Sequence, residues 1–251
     1  MLDLEITQIT VVILCALLIG ISKTGIPTLG IFVVAIMASI FPARESIGLV
    51  LPMLIIGDLI AVTYYRRNVN WKILISLIPW VLGGLAIGFS LLFFMTSSRP
   101  IEIILGAIIL VMIALQFSRE RWGAAWIKAI PHSKWFIVVM GTLAGFTTMV
   151  GNAAGPIMAL FLLAIALPKK HFIGTGAWFF ISVNLLKVPM YGSLGLITLD
   201  TLTFNAWMIP AILIGTYIGI TFLPLIPQQK FNWIILLLSF LGGMSLLIGL
   251  S

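Results

Sequence analysis

The sequence predicts an all-α fold: a polytopic helical membrane protein, built as two inverted repeats of about five hydrophobic segments each. Three observations predict it. The chain is 61% hydrophobic and 8% charged over 251 residues, with a mean hydropathy of +1.23. Soluble domains carry roughly 25% charged residues, so this composition cannot cover a water-facing surface. The apolar residues fall in ten long runs, matching the roughly eight to ten crossings that the length allows at about 20 residues each plus loops. Finally, stretches from the two halves of the chain align with one another.

The runs are 6–21, 26–41, 47–65, 73–95, 101–117, 135–150, 153–167, 172–191, 202–223 and 233–250. They are too long and too uniformly apolar for barrel strands, which run about ten residues with alternating polarity. Five of them (47–65, 73–95, 172–191, 202–223 and 233–250) are long enough to span alone. The runs 26–41 and 153–167 are shorter and read as tilted or partial crossings. Asp3 and Glu5 precede the first run. Their sign is opposite to the basic start of a signal peptide, so this run is expected to be retained. Cys15, the single cysteine, has no intrachain disulfide partner and reads as a small core residue.

Phe41-Pro42-Ala43-Arg44-Glu45-Ser46-Ile47-Gly48 aligns with Leu167-Pro168-Lys169-Lys170-His171-Phe172-Ile173-Gly174 at an offset of 126. Pro79, Gly84, Gly88 and Arg99 align with Pro210, Gly215, Gly219 and Lys230 at an offset of 131. Apolar composition alone would not align prolines, glycines and loop bases together. The reading is one transmembrane domain over 1–251, with a first repeat at 1–117, a cytoplasmic linker at 118–134 and a second repeat at 135–251.

An odd number of segments per repeat inverts one half relative to the other. If every segment crosses, one side carries Lys23, Arg66, Arg67, Lys72, Arg119, Arg121, Lys128, Lys134, Lys169, Lys170 and Lys230, which is 11 of the 14 basic residues. The other side carries Arg44 and Arg99. The positive-inside rule makes the first side cytoplasmic and both termini external, in a plasma (inner) membrane. The net charge of +7 therefore reports topology, and no nucleic-acid partner is expected. Trp80, Trp122, Trp126, Trp135, Trp207 and Trp233 read mostly as interfacial anchors near segment ends.

Each repeat opens with a glycine–proline junction. The first reads Gly20-Ile21-Ser22-Lys23-Thr24-Gly25-Ile26-Pro27 and the second Gly151-Asn152-Ala153-Ala154-Gly155-Pro156. Glycine permits a sharp reversal and proline suits the first helical turn. Broken backbone at membrane depth is tolerated only when buried or lining a cavity, and the N–H groups of helix starts attract anions. The candidate substrate-binding residues are therefore Lys23, Thr24, Gly25, Asn152, Ala153 and Gly155. The alternative is a pair of ordinary surface loops with Lys23 in water.

Polar residues within the spans are few, and three of them stand out. Asp58 has Asn184 as its mate at the 126 offset, and Lys187 follows Asn184 on the same helix face. A charge inside the bilayer costs roughly 2.5–3.5 kcal/mol on insertion scales, so it needs a cavity or a partner. Asn184 and Lys187 join the candidate substrate-binding set. Lys187 could neutralise an anion, pair with Asp58 or snorkel to the interface; Asp58 could carry a coupling proton or form a structural bridge. His132 and His171 lack metal-ligand spacing. No Walker motif or nucleophile–base pair is visible. Neither enzyme chemistry, a catalytic residue, a metal nor a cofactor is expected.

The junctions Gly20-x-Ser22-Lys23-Thr24-Gly25-x-Pro27 and Asn152-Ala153-Ala154-Gly155-Pro156, with the Pro42 and Pro168 loops, resemble the TauE/SafE sulfite exporter family over nearly the whole chain. That resemblance implies a secondary transporter exporting a small sulfur-containing anion, such as sulfite or a small organosulfonate, through the lipid bilayer. An anion channel and a non-transporting scaffold are the alternatives. A proton or sodium ion is the candidate coupling partner and a homodimer the candidate assembly. The second junction departs from the first in having no basic residue to match Lys23.

Overall fold

The computed structural model describes residues 6–24, 29–94, 97, 99–100, 102–103, 106–107, 110–111, 113–114, 134–222, 233, 237, 240–241, 243–245 and 247–249. Eight helices are delineated among them: α1 (Ile6–Thr24), α2 (Leu29–Ile40), α3 (Ala43–Tyr65), α4 (Trp71–Phe94), α5 (Lys134–Gly151), α6 (Gly155–Ala164), α7 (Lys169–Ser193) and α8 (Leu199–Phe222). No strand occurs among the described residues. The expected segments 101–117 and 233–250 are only partly described, and those of their residues that are described are nearly all helical. The linker 118–134 lies outside the described residues except for Lys134.

Helices α3, α4, α5, α7 and α8 are long and apolar enough to cross a membrane. By contrast α2 has 12 residues and α6 has 10. At 1.5 Å per residue these are roughly 15–18 Å long, about half the hydrocarbon thickness.

Local sequence sets the helix starts in the same way in both halves. Pro42 caps α3 with φ −49° and ψ 130°, and Pro168 caps α7 with φ −57° and ψ 148°. The ring fixes φ and the missing N–H is not needed at a helix entrance. Pro79 and Pro210 lie inside α4 and α8. Each occupies the ninth or twelfth position of a 24-residue helix.

Packing repeats the sequence pattern. The most extensive contacts are α4 with α5, α1 with α8 and α3 with α7. A Cβ on Gly84 would strike the Thr142 carbonyl, and one on Gly145 the Val81 carbonyl. On the other side, a Cβ on Gly215 would strike the Leu17 carbonyl, and one on Gly20 the Ile212 carbonyl. Backbone therefore lies directly on backbone at both seams. With no hydrophobic drive between helices in lipid, such close van der Waals contact supplies the association. Gly48 against Leu196 and Gly174 against Asn68 make a second matched pair.

Outward faces carry exposed apolar side chains such as Phe94, Trp135, Trp207 and Tyr217. Trp135 sits at a helix end as expected. Trp80 and Trp207, however, lie more than two turns inside α4 and α8. The apolar run in each case is preceded by further helical residues that composition left in the loops. Inside, one core cluster includes Leu77, Leu85, Ile157, Phe161 and Phe179. A second includes Val12, Ile19, Val33, Met53 and Ile212.

Candidate functional site

Three charged side chains are buried among the described residues: Lys23, Asp58 and Lys187. All three meet where the ends of α1 and α5 face the centres of α3 and α7. Lys23 belongs to the last turn of α1, two residues beyond the apolar run, so the alternative of a surface loop with Lys23 in water does not hold there. Its exposure is 9%, which removes it from the loop charges used to assign topology.

Lys23 Nζ lies 2.8 Å from Asp58 Oδ1 in a buried ion pair. The same ammonium sits 4.5 Å from the centroid of the Phe180 ring, a distance at which the negative face of the ring attracts it. Asp58 Oδ2 accepts a 2.7 Å hydrogen bond from Asn184 Nδ2. The repeat mates Asp58 and Asn184 therefore touch directly. Asp58 pairs with Lys23, not with Lys187.

Lys187 is fully buried, so it does not snorkel. Its Nζ donates to Thr148 Oγ1 at 3.3 Å, to Asn184 Oδ1 at 3.4 Å, and to Asn152 Oδ1 through a short contact. An ammonium has three donors and no acceptor. Three acceptor oxygens thus match the charged form and use all its protons. Asn152 then donates from Nδ2 to the Ile47 carbonyl at 2.9 Å. Its backbone takes φ 52°, the left-handed region that asparagine tolerates better than most residues. That turn ends α5, and Gly155 starts α6 with Pro156 in the first turn and no side-chain cap.

A small cavity opens at this junction, with ≈ 20 Å³ of free space, room for about one water-sized group. Its polar side includes Ser22, Lys23, Thr148, Asn152 and Asn184, and its apolar side includes Leu54, Ile173 and Phe180. Gly30 and Gly155 bring the first turns of α2 and α6 to the same cavity. The lining is paired by the repeat. Lys23 matches Thr148 and Gly30 matches Gly155 at an offset of 125, while Leu54 matches Phe180 at 126.

Of the residues picked from sequence, Lys23, Asn152, Gly155 and Asn184 line the cavity. Lys187 lies behind it, holding the two asparagines. Thr24 turns away: its hydroxyl bonds the carbonyls of Gly20 and Thr216 at 3.0 and 3.1 Å. Ala153 is buried and is not in the lining. Gly25 lies outside the described residues. Sequence reasoning missed Ser22, Thr148 and Phe180. The 126 offset takes Lys23 to Met149, one residue past Thr148, so the alignment pointed to this turn without picking the residue.

Two tyrosines brace the ends of α1 and α5. Tyr65 OH donates to the Thr24 carbonyl at 3.3 Å, and Tyr191 OH to the Met149 carbonyl at 2.7 Å. They too are repeat mates, at an offset of 126.

Comparison with curated proteins and with solved structures returns no match. The family described as sulfite exporter TauE/SafE matches residues 12–246. With that match over nearly its whole length, and with helices fit to cross a membrane, the chain is a multi-pass membrane protein that belongs to the TauE/SafE sulfite exporter family.

Proposed function

We propose that the protein is a secondary transporter that exports a small anion, sulfite or a small organosulfonate, by alternating access across the plasma membrane. The observation that carries this reading is the cavity where Lys23 meets the first turns of two short helices. Helix N-termini and an ammonium both favour negative charge, and they do so more strongly in a low-dielectric interior. The apolar wall formed by Leu54, Ile173 and Phe180 suits the small organic group of a sulfonate.

The two repeats stand inverted in this reading, with α1–α2 and α5–α6 as broken or re-entrant hairpins meeting at the substrate. Their matched packing supports it: each repeat lends its first helix to the fourth helix of the other. Both termini are external and the linker 118–134 is cytoplasmic, following the loop bases. A cavity with room for one water-sized group supports a carrier that must open to load, in preference to an anion channel. The coupling ion in this scheme is a proton or sodium, and the transporting unit is a monomer or a homodimer.

Flux of labelled sulfite and of a small sulfonate into proteoliposomes tests the proposal. Wild-type protein is expected to carry at least one of them, and Lys23→Ala to lose the flux at normal expression. Unchanged flux in both Lys23→Ala and Lys187→Ala overturns the proposed roles of these cations. Flux that follows only the anion gradient and voltage favours the channel.

A further inference from the structure

The buried charges at the site do not cancel. Lys23 and Lys187 bring two positive charges and Asp58 one negative charge, and no other charged side chain is buried among the described residues. Three acceptor oxygens surround the Lys187 ammonium, and a carboxylate faces the Lys23 ammonium at 2.8 Å. The groups facing Asp58 are Lys23 from α1 and Asn184 and Lys187 from α7. Helix α2 has no titratable residue, and Asp200 of α8 is exposed at that helix's far end.

We infer that the site selects anions by valence: it takes a single negative charge while Asp58 is ionised, and admits a dianion only when Asp58 is protonated. This rests on the anion-transport reading above and narrows its substrate class to monoanionic sulfur oxyanions. A monoanion brings the buried sum to zero with every existing contact intact. A dianion leaves one uncompensated negative charge in a water-poor interior, beside a fixed carboxylate. Uncompensated buried charge is strongly disfavoured. Uptake of one proton from solution onto Asp58 Oδ1 restores neutrality. That oxygen is buried and has no aligned hydrogen bond, only the charge of Lys23. A sulfonate is a monoanion at all ordinary pH, and sulfite enters as hydrogensulfite. Asp58 is thereby the specificity-determining residue, although it need not touch the anion.

Calorimetric titration of the full-length protein in nanodiscs tests this, with methanesulfonate and sulfate as probes between about pH 5.5 and pH 8.5. Methanesulfonate affinity is expected to stay flat across that range. Sulfate is expected to bind more weakly at the alkaline end and to gain about tenfold per pH unit on acidification, with one proton taken up per sulfate bound. Asp58→Asn raises the buried sum by one charge, so sulfate affinity at the alkaline end should rise at least about tenfold and lose its pH dependence. The wild-type pH series stands alone if that variant does not fold. Sulfate binding as tightly as methanesulfonate at the alkaline end, with no proton uptake, overturns the valence rule and leaves the anion site standing. If neither probe binds at any pH, the anion-site reading and this inference both fall.

Discussion

The end of α1 and the end of α5 are repeat mates, yet they carry their charge differently. On α1 the cation belongs to the helix end itself, as Lys23. On α5 that position is Thr148, and the cation reaches it from α7, as Lys187. The mate of Lys187 at the 126 offset is Ala61, which is fully buried. Each half thus places one ammonium beside the end of its first helix, from a different point on the chain. The two halves share the place of the charge and differ in the residue that bears it. The missing base of the second junction is supplied by a neighbouring helix.

The two cations also differ in what they have left to offer. Lys187 spends its three donors on Thr148, Asn152 and Asn184. Lys23 has one carboxylate and an aromatic face, and it lines the cavity. Under the proposed function, Lys23 is the side chain that meets a substrate and Lys187 the one that holds the wall in place.

The largest effect should come from breaking the first half of that comparison. Lys23→Met leaves Asp58 buried without its partner, which is expected to cost about 3–5 kcal/mol. Thermal unfolding in detergent measures it. The double variant Lys23→Met with Asp58→Asn is expected to recover most of that stability but none of the anion binding. Recovery of binding would sink the role given to Lys23.

The next largest concerns the helix seams, where the halves are alike. Gly84→Ala and Gly215→Ala push a methyl into a facing backbone carbonyl and should each destabilise by about 1–3 kcal/mol. The neighbouring Gly83 has nothing within 4 Å of its Cβ position. Gly83→Ala should therefore be neutral or gain up to about 1 kcal/mol from helix propensity. Unequal losses at the two seams would break the packing symmetry.

Lys187→Met removes three charge-assisted bonds and frees two asparagine amides, so anion affinity should fall about 10- to 100-fold. Moving the charge sharpens the comparison. Thr148→Lys combined with Lys187→Ala puts the cation where α1 already has it, and should bind anions better than Lys187→Ala alone. No improvement would mean that the route of the charge matters as well as its place. The smallest effect is expected at the paired tyrosines. Tyr65→Phe and Tyr191→Phe each remove one hydroxyl donor to a helix-end carbonyl, worth about 1 kcal/mol.

Much of the fold could be read from the chain because membrane solvation acts residue by residue. The apolar runs, the proline entrances at Pro42 and Pro168 and the glycine ridges are local signals that lipid and backbone geometry impose directly. Limits of the helices were read less well. The described helices extend past the apolar runs at Lys23, Ala43 and Lys169, because hydrogen bonding continues a helix through polar residues that a hydropathy scale assigns to loops. Asp58, Asn184 and Lys187 were visible as costly exceptions within apolar segments, and the junction residues Lys23 and Asn152 by their repetition.

The sequence by itself determined that the chain is a helical membrane protein, that stretches of its two halves align, and which few polar residues stand out within its apolar runs. Only the tertiary structure decided the pairing: Asp58 with Lys23 and Asn184, and Lys187 with Thr148 and Asn152. Pairing depends on which helices cross and on how far each side chain reaches. Residues 35 to 126 positions apart become neighbours only when glycine seams let the helices close.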